Sequence, residues 1–301
     1  MSEGVTLYFD WEVEFMKWLQ ELLGRFGAGL GSIVSCFGEG IVIILIWGII
    51  YWGIDKNFGR FLGFGVCVGI VLNPMIKNVV LRRRPYFDNP DIQCCKPVDS
   101  TADIYDISAQ GYSFPSGHST NSAIMYGGIA VHLRKRLYTV LGIIIPLLVA
   151  LSRMIVGVHY PTDVIIGLLF GALVLFLIRF LYNKIKRRWI LYSVIFLLSC
   201  TGIIYCRSND YFTALGFMGG FFLGDLFEER YVSFESAKSI WAIALRTLGG
   251  FGVFIIVDVL LKLLLSNVIA ESAIMLSYMA RTMRYFIVTF VVVGIYPMSF
   301  S

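Results

Sequence analysis

Residues 137–182 read LYTVLGIIIPLLVALSRMIVGVHYPTDVIIGLLFGALVLFLIRFLY. Two apolar runs, 137–156 and 161–182, are each long enough to cross a hydrocarbon core of about 30 Å, which takes about 20 residues. The turn between them, 157–160, is so short that the two spans must be antiparallel neighbours. Ser152, Arg153, His159 and Asp163 therefore crowd at one end of the pair, at a membrane rim rather than in its middle.

Working outward, the same reading finds further runs at 36–54, 61–81, 115–133, 190–206, 211–227, 240–266 and 283–299. The whole chain of 301 residues is 57% hydrophobic and 15% charged, against roughly 45–50% and 25% in soluble domains. Such a balance excludes a disordered chain, a nucleic-acid module and an ordinary cytosolic enzyme. The segment 8–24 differs from the rest. Tyr8, Phe9, Trp11, Phe15, Trp18 and Leu19 recur near helical spacing with Asp10, Glu12, Glu14 and Glu21 between them, the pattern of an amphipathic helix lying on the bilayer surface. The predicted fold is an all-α polytopic membrane helix bundle of about nine spans plus an N-terminal interfacial helix. Three regions follow: an interfacial segment at 1–35, a core membrane domain at 36–189, and C-terminal membrane helices at 190–301 whose role the residues do not specify. The start, Met1-Ser-Glu-Gly-Val-Thr, lacks a basic region and a small-residue cleavage site, so no removable signal peptide is expected.

Basic residues in the short connections set orientation. Lys56 and Arg60, Arg134–Arg136, and Lys184, Lys186, Arg187 and Arg188 share one side, predicted cytoplasmic. The long loop 82–114 and the 157–160 turn then lie outside, away from the cytoplasm, and the expected location is the cell membrane. Arg82–Arg84, Arg281 and Arg284 run against the count. Of the cysteines, Cys36, Cys67, Cys200 and Cys206 read as small apolar residues, while the adjacent Cys94 and Cys95 are open between free thiols, a vicinal disulfide and partners elsewhere. No Cys/His spacing suggests a metal site. Asp258 and Lys262, four apart in an apolar run, suggest an intramembrane ion pair.

Three patterns carry chemistry, all on the outer side. They are Lys77-x6-Arg84-Pro85, Pro115-Ser116-Gly117-His118, and Ser152-Arg153-x5-His159-x3-Asp163. Lys77 and Arg84 are two helical turns apart and project from one face. Pro115 and Gly117 suit the first turn of a helix whose free amides and positive dipole end favour an anion. Asp163 falls in the first turn of its span, where the dipole keeps a carboxylate ionised. Ionised, it would hold one nitrogen of His159 and leave the other as a nucleophile. Cations clustered in this way suit an anion whose charge is spread over several oxygens. His132, fourteen residues along from His118, lies about 21 Å away at 1.5 Å per residue and belongs to the other rim. Arg82 and Arg83 are open between snorkelling at the rim and extra charge for a diphosphate headgroup.

In these three motifs the sequence resembles the membrane-bound type 2 phosphatidic acid phosphatases, relatives of the vanadium haloperoxidases, across roughly residues 36–182. The resemblance implies that His159 attacks phosphorus to form a phosphohistidine, Asp163 holds its imidazole, and His118 protonates the leaving group. It implies that Lys77, Arg84 and Arg153, with Ser116 and the Gly117 amide, bind the phosphate, and that neither metal nor cofactor is used. The expected substrate is a lipid phosphate or polyprenyl diphosphate, handled among membrane lipids and not with nucleic acid. Residues 190–301 contain none of the motifs on which the resemblance rests.

Overall fold

The computed structural model describes residues 4–271 and 274–300, with side chains outside 266–273. Met1–Glu3, the first half of the stretch read for a signal peptide, lie outside the described residues. Among the described residues twelve α-helices follow in order: α1 Asp10–Ser35, α2 Gly40–Gly48, α3 Lys56–Val80, α4 Pro85–Asp88, α5 Ile107–Gln110, α6 Gly117–Leu133, α7 Arg136–Ile155, α8 Pro161–Lys184, α9 Arg188–Cys200, α10 Asn209–Phe227, α11 Ile240–Glu271 and α12 Ile274–Phe290. Among the described residues there is no named strand; Val5 and Arg82 form one isolated parallel bridge.

Five helices have the length and apolarity of a membrane span: Lys56–Val80, Arg136–Ile155, Pro161–Lys184, Ile240–Leu265 and Ile274–Phe300. A sixth arises if the bent pair Asp10–Gly38 and Gly40–Ile54 counts as one. The nine runs read from sequence therefore reduce to five or six on this test. The stretch 190–206 is a shorter apolar helix, Arg188–Ile204. At 17 residues α6 falls short of the usual span length, and it buries Ser119, Thr120 and Ser122, polar residues that protein neighbours can satisfy and lipid cannot.

The chain divides into two compact units that interleave along the sequence. The first comprises Met1–Ile43, Leu72–Phe176 and Tyr205–Ser208. Here α6 packs on α8 because glycines face it: a Cβ on Gly167 would stand 2.7 Å from the Ser116 carbonyl, and one on Gly171 would press the Thr120 carbonyl. The Thr120 hydroxyl closes the contact by donating to the Gly167 carbonyl at 3.1 Å. The amphipathic helix α1 is broken at Gly24, whose φ of 52° is a left-handed conformation open to glycine. Val13 and Met16, ahead of that break, bury against Ile92 and Tyr160, while Trp11, Trp18 and Phe26 remain exposed. The helix thus docks on this unit with one side and leaves its aromatic side open. The 82–114 loop is ordered by the buried Gln110 side chain, which binds the backbone of Val98, Asp99 and Asp103. Cys94 and Cys95 are free thiols.

The second unit comprises Ile44–Val71, Leu177–Ile204 and Asn209–Ser301. Gly216 and Gly220 of α10 lie directly against the Thr282 and Phe286 carbonyls of α12. Lys56 and Arg60, read as loop charges, are instead partnered: Arg60 is 4% exposed and binds Asp225 at 2.6 Å and Glu228, while Lys56 binds Glu228 at 3.0 Å. Asp258 pairs not with Lys262 but with Arg284 of α12, whose guanidinium donates at 2.7 and 2.6 Å. That bidentate pair explains a charge the orientation count left unaccounted for, since a guanidinium fork matches a carboxylate better than an ammonium does.

Candidate active site

All residues singled out for chemistry fall in the first unit, at one end of α3, α6, α7 and α8. Lys77 occupies the last turn of α3 and is 9% exposed. Arg84 caps the short α4, and its guanidinium donates to the Gln110, Gly111 and Val158 carbonyls at 2.9, 3.1 and 3.0 Å. Ser116 is the N-cap of α6, and Gly117 opens that helix; a Cβ added there would stand 3.3 Å from the Asn73 amide oxygen. His118 follows, its Cβ and carbonyl pressed by Gly38, where a side chain would not fit. Arg153 lies in the last turn of α7, fully enclosed; one nitrogen binds the Ser35 hydroxyl, and its Nε is buried with no hydrogen-bond partner among the described residues.

The turn between α7 and α8 presents His159. Gly157, at φ 78°, reverses the chain in a conformation only glycine holds cheaply. Val158 N–H then bonds back to the Arg153 carbonyl at 3.1 Å. His159 is 2% exposed, and its Nδ1 faces Asp163 Oδ2 and Ser113 Oγ, both at 3.4 Å. Nε2, across the ring, is thus the nitrogen turned away from the carboxylate. Burial, then the charges of Arg84, Arg153, Lys77 and Arg82, hold this imidazole well below the usual histidine range. The charges of Arg153, Lys77 and Arg84, and His159 itself, also bear on His118. One field of cations therefore covers both histidines, which the topology alone could only suggest.

Asp163 is fully buried and heavily donated to. Oδ1 accepts from Arg82 Nη1 at 2.6 Å, and Oδ2 from the Tyr160 amide at 2.8 Å and from the Ser113 hydroxyl. Donors this numerous favour the charged form of the carboxylate against the cost of its burial, and they fix its orientation. Arg82 is neither a snorkelling residue nor a rim charge: it is 3% exposed, stacks over the Tyr160 ring at 4.1 Å, and joins Asp163 to Glu12 of α1. Arg83 turns the other way, to Asp88 at 3.1 Å. Ser113 and Glu12 are the site residues that sequence reading missed. Ser113 sits two residues before the Pro-Ser-Gly-His run with no motif of its own, and Glu12 looked like one of several exposed acids on an amphipathic helix. The signal for Glu12 was its place three residues after Phe9, where a glutamate can cap the helix start.

Comparison with known proteins bears on the same residues. Residues 58–190 match the family model described as PAP2 superfamily, and residues 212–301 match one described as PAP2 superfamily phosphatase, transmembrane extension. The undecaprenyl-diphosphatase of Sulfolobus acidocaldarius is 33% identical over 153 residues, which is 50% of this chain and 68% of that protein. This chain belongs to the PAP2 superfamily. The phosphatidylglycerophosphatase B of Bacillus subtilis is 35% identical over 127 residues, 39% of this chain; the match spans just over half, 54%, of that relative's length. The decaprenylphosphoryl-5-phosphoribose phosphatase of Mycobacterium tuberculosis is 34% identical over 146 residues, 47% of this chain and 72% of its own. Among solved structures, a transmembrane PAP2 type phosphatidylglycerolphosphate phosphatase from Bacillus subtilis aligns over 58% of this chain and 86% of its own, at 24% identity and a TM-score of 0.45. The PAP2 core contains every motif residue named above. The extension falls in the stretch where the sequence offered none, and together with the apolar helices it makes this PAP2 chain an integral membrane protein.

Proposed function

We propose that the chain is an integral-membrane lipid phosphatase that hydrolyses a lipid phosphomonoester or diphosphate through a phosphohistidine, without a metal, on the extracytoplasmic face. The observation that carries this reading is His159, a buried imidazole held neutral beside a braced carboxylate and ringed by cations. His159 Nε2 attacks phosphorus, and the bond to the leaving oxygen breaks as His118, which the bound phosphate's negative charge favours in the protonated form against the surrounding cations, gives that oxygen a proton. The imidazole becomes positive, and Asp163 stabilises it through Nδ1–H. Water then attacks the phosphohistidine, losing its proton to His118, and inorganic phosphate leaves. Lys77, Arg84 and Arg153 take the phosphoryl oxygens with the Ser116 hydroxyl and the Gly117 amide at the positive end of α6; the unpartnered Nε of Arg153 is a donor suited to this.

Orientation rests on the basic ends of the same helices. Arg134 and Arg136 flank the turn between α6 and α7, and Lys184 ends α8, each at the far end from the catalytic residues. Relatives named for phosphatidylglycerophosphate, undecaprenyl diphosphate and decaprenylphosphoryl-phosphoribose support a long-chain lipid substrate whose tail enters between helices. The test is phosphate release in detergent from phosphatidate, phosphatidylglycerol phosphate, a sphingoid-base phosphate and a polyprenyl diphosphate. Release from at least one, abolished by His159→Ala, is expected. Transfer of the phosphoryl group to another lipid without free phosphate, or release unaffected by His159→Ala, would overturn it.

A further inference from the structure

The Glu12 carboxylate is 0% exposed and all its bonds lead to the catalytic turn or to its own helix start. Its Oε2 accepts from the Phe9 amide at 3.0 Å and from Arg82 Nη2 at 2.6 Å. Its Oε1 accepts from the Thr162 amide at 3.0 Å and the Thr162 hydroxyl at 2.6 Å. Thr162 is the second residue of α8, so one carboxylate caps the start of α1 and the start of the helix that carries Asp163. Arg82 completes the link, with Nη1 on Asp163 at 2.6 Å and on the Thr162 hydroxyl at 2.7 Å, and Nε on the Leu7 carbonyl at 2.5 Å. A capping role alone would need only the Phe9 amide. Burial of a carboxylate and a guanidinium is costly unless both are paired, and here each is paired through the other to the nucleophile's support.

We propose that Glu12 is a positioning residue of the phosphatase: through Arg82 and Thr162 it fixes Asp163 beside His159, so that this one side chain of α1, which precedes the matched PAP2 stretch 58–190, supports the catalytic turn. The inference rests on the reading of His159 as nucleophile. Glu12 also offsets the charge of Arg82, which faces His159 together with Lys77, Arg84, Arg153 and Asp163.

Glu12→Gln in the full chain tests this, with the lipid hydrolysed fastest in the panel above as probe. Phosphate release is followed from pH 4.5 to 8.5 beside thermal unfolding. The expected result is a kcat about 10- to 100-fold lower, KM within about threefold, and an acid limb displaced to lower pH, because Arg82 then adds uncompensated positive charge at His159. Glu12→Asp keeps the charge and the wild-type limb while losing kcat severalfold, and it serves if the glutamine variant does not fold. Lys17→Ala, which unties α1 from Asp91 (2.5 Å) without touching Arg82, keeps activity within twofold. Wild-type kcat and pH profile in Glu12→Gln, or an equal loss in Lys17→Ala, overturns the proposal. Activity persisting in His159→Ala strikes instead at the nucleophile assignment on which it rests.

Discussion

Replacing Asp163 by Asn changes one atom and removes one charge. In the resting site that charge is shared between Arg82 at 2.6 Å, the Tyr160 amide at 2.8 Å, Ser113 and His159 Nδ1 at 3.4 Å. In the proposed mechanism His159 takes the phosphoryl group and its ring becomes cationic. The carboxylate then attracts it by about 5 kcal/mol, taking 332/(εr) at 3.4 Å and an effective dielectric of about 20. Arg82 draws on the same carboxylate, so the net loss approaches that of a hydrogen bond to a charged group, about 1.5–3 kcal/mol. This corresponds to a fall in kcat of between about tenfold and 150-fold. The cations proposed to bind the phosphate are untouched, so KM should stay within about threefold. Steady-state phosphate release gives kcat and KM, and rapid quench gives the rate of phosphoenzyme formation, which should slow by the same factor. A kcat within threefold of wild type would refute the idea that this carboxylate supports the nucleophile.

Three further outcomes follow from the geometry. Arg153→Lys keeps a charge but removes the unpartnered Nε and the fork; KM for the lipid phosphate should rise about tenfold, and an unchanged KM in steady-state assays would remove Arg153 from the phosphate site. The depressed His159 value has a consequence for stability. The unfolded histidine takes a proton near pH 6.5 while the folded one resists, so the unfolded chain binds more protons and the ligand-free protein should weaken as pH falls below about 6.5. The slope from this residue is at most about 1.4 kcal/mol per pH unit. Thermal unfolding at stepped pH, compared with His159→Ala, isolates it; identical slopes would contradict a buried neutral imidazole. Gly171→Val drives a side chain into the Thr120 carbonyl and should destabilise by about 1–3 kcal/mol, read as a lower unfolding temperature in detergent, with activity falling as the α6 terminus shifts.

The grouping of the candidate site residues at one end of the first unit was legible in sequence where the residues are close in the chain. Arg153, His159 and Asp163 lie within one turn and its flanking helix ends. Lys77 and Arg84, read as one helical face, do not share a helix: α3 stops at Val80, Leu81 turns the chain at φ 56°, and Arg84 is the extended N-cap of α4. What pairing does across the chain was not legible. Arg82 sits beside Arg83 and Arg84 and nothing in that run says which of the three is buried on a carboxylate. Glu12 reads as solvated until its neighbours are known, since burial of an acid depends on partners brought by folding. The same holds for Asp258, for which Lys262 offered a plausible local partner and Arg284 of another helix proved the real one. For a related reason the nine apolar runs exceed the five or six helices that pass the test of length and apolarity. Apolar length measures what lipid demands, and α6, with its buried serines and threonine, meets the demands of protein neighbours instead.

The most direct measurement is to identify the residue that receives the phosphoryl group. The protein is mixed with its fastest lipid substrate, quenched in alkali, where phosphohistidine survives, and digested for mass spectrometry. The phosphate should be found on His159, and should vanish in His159→Ala. A phosphoryl group on any other residue would contradict the account.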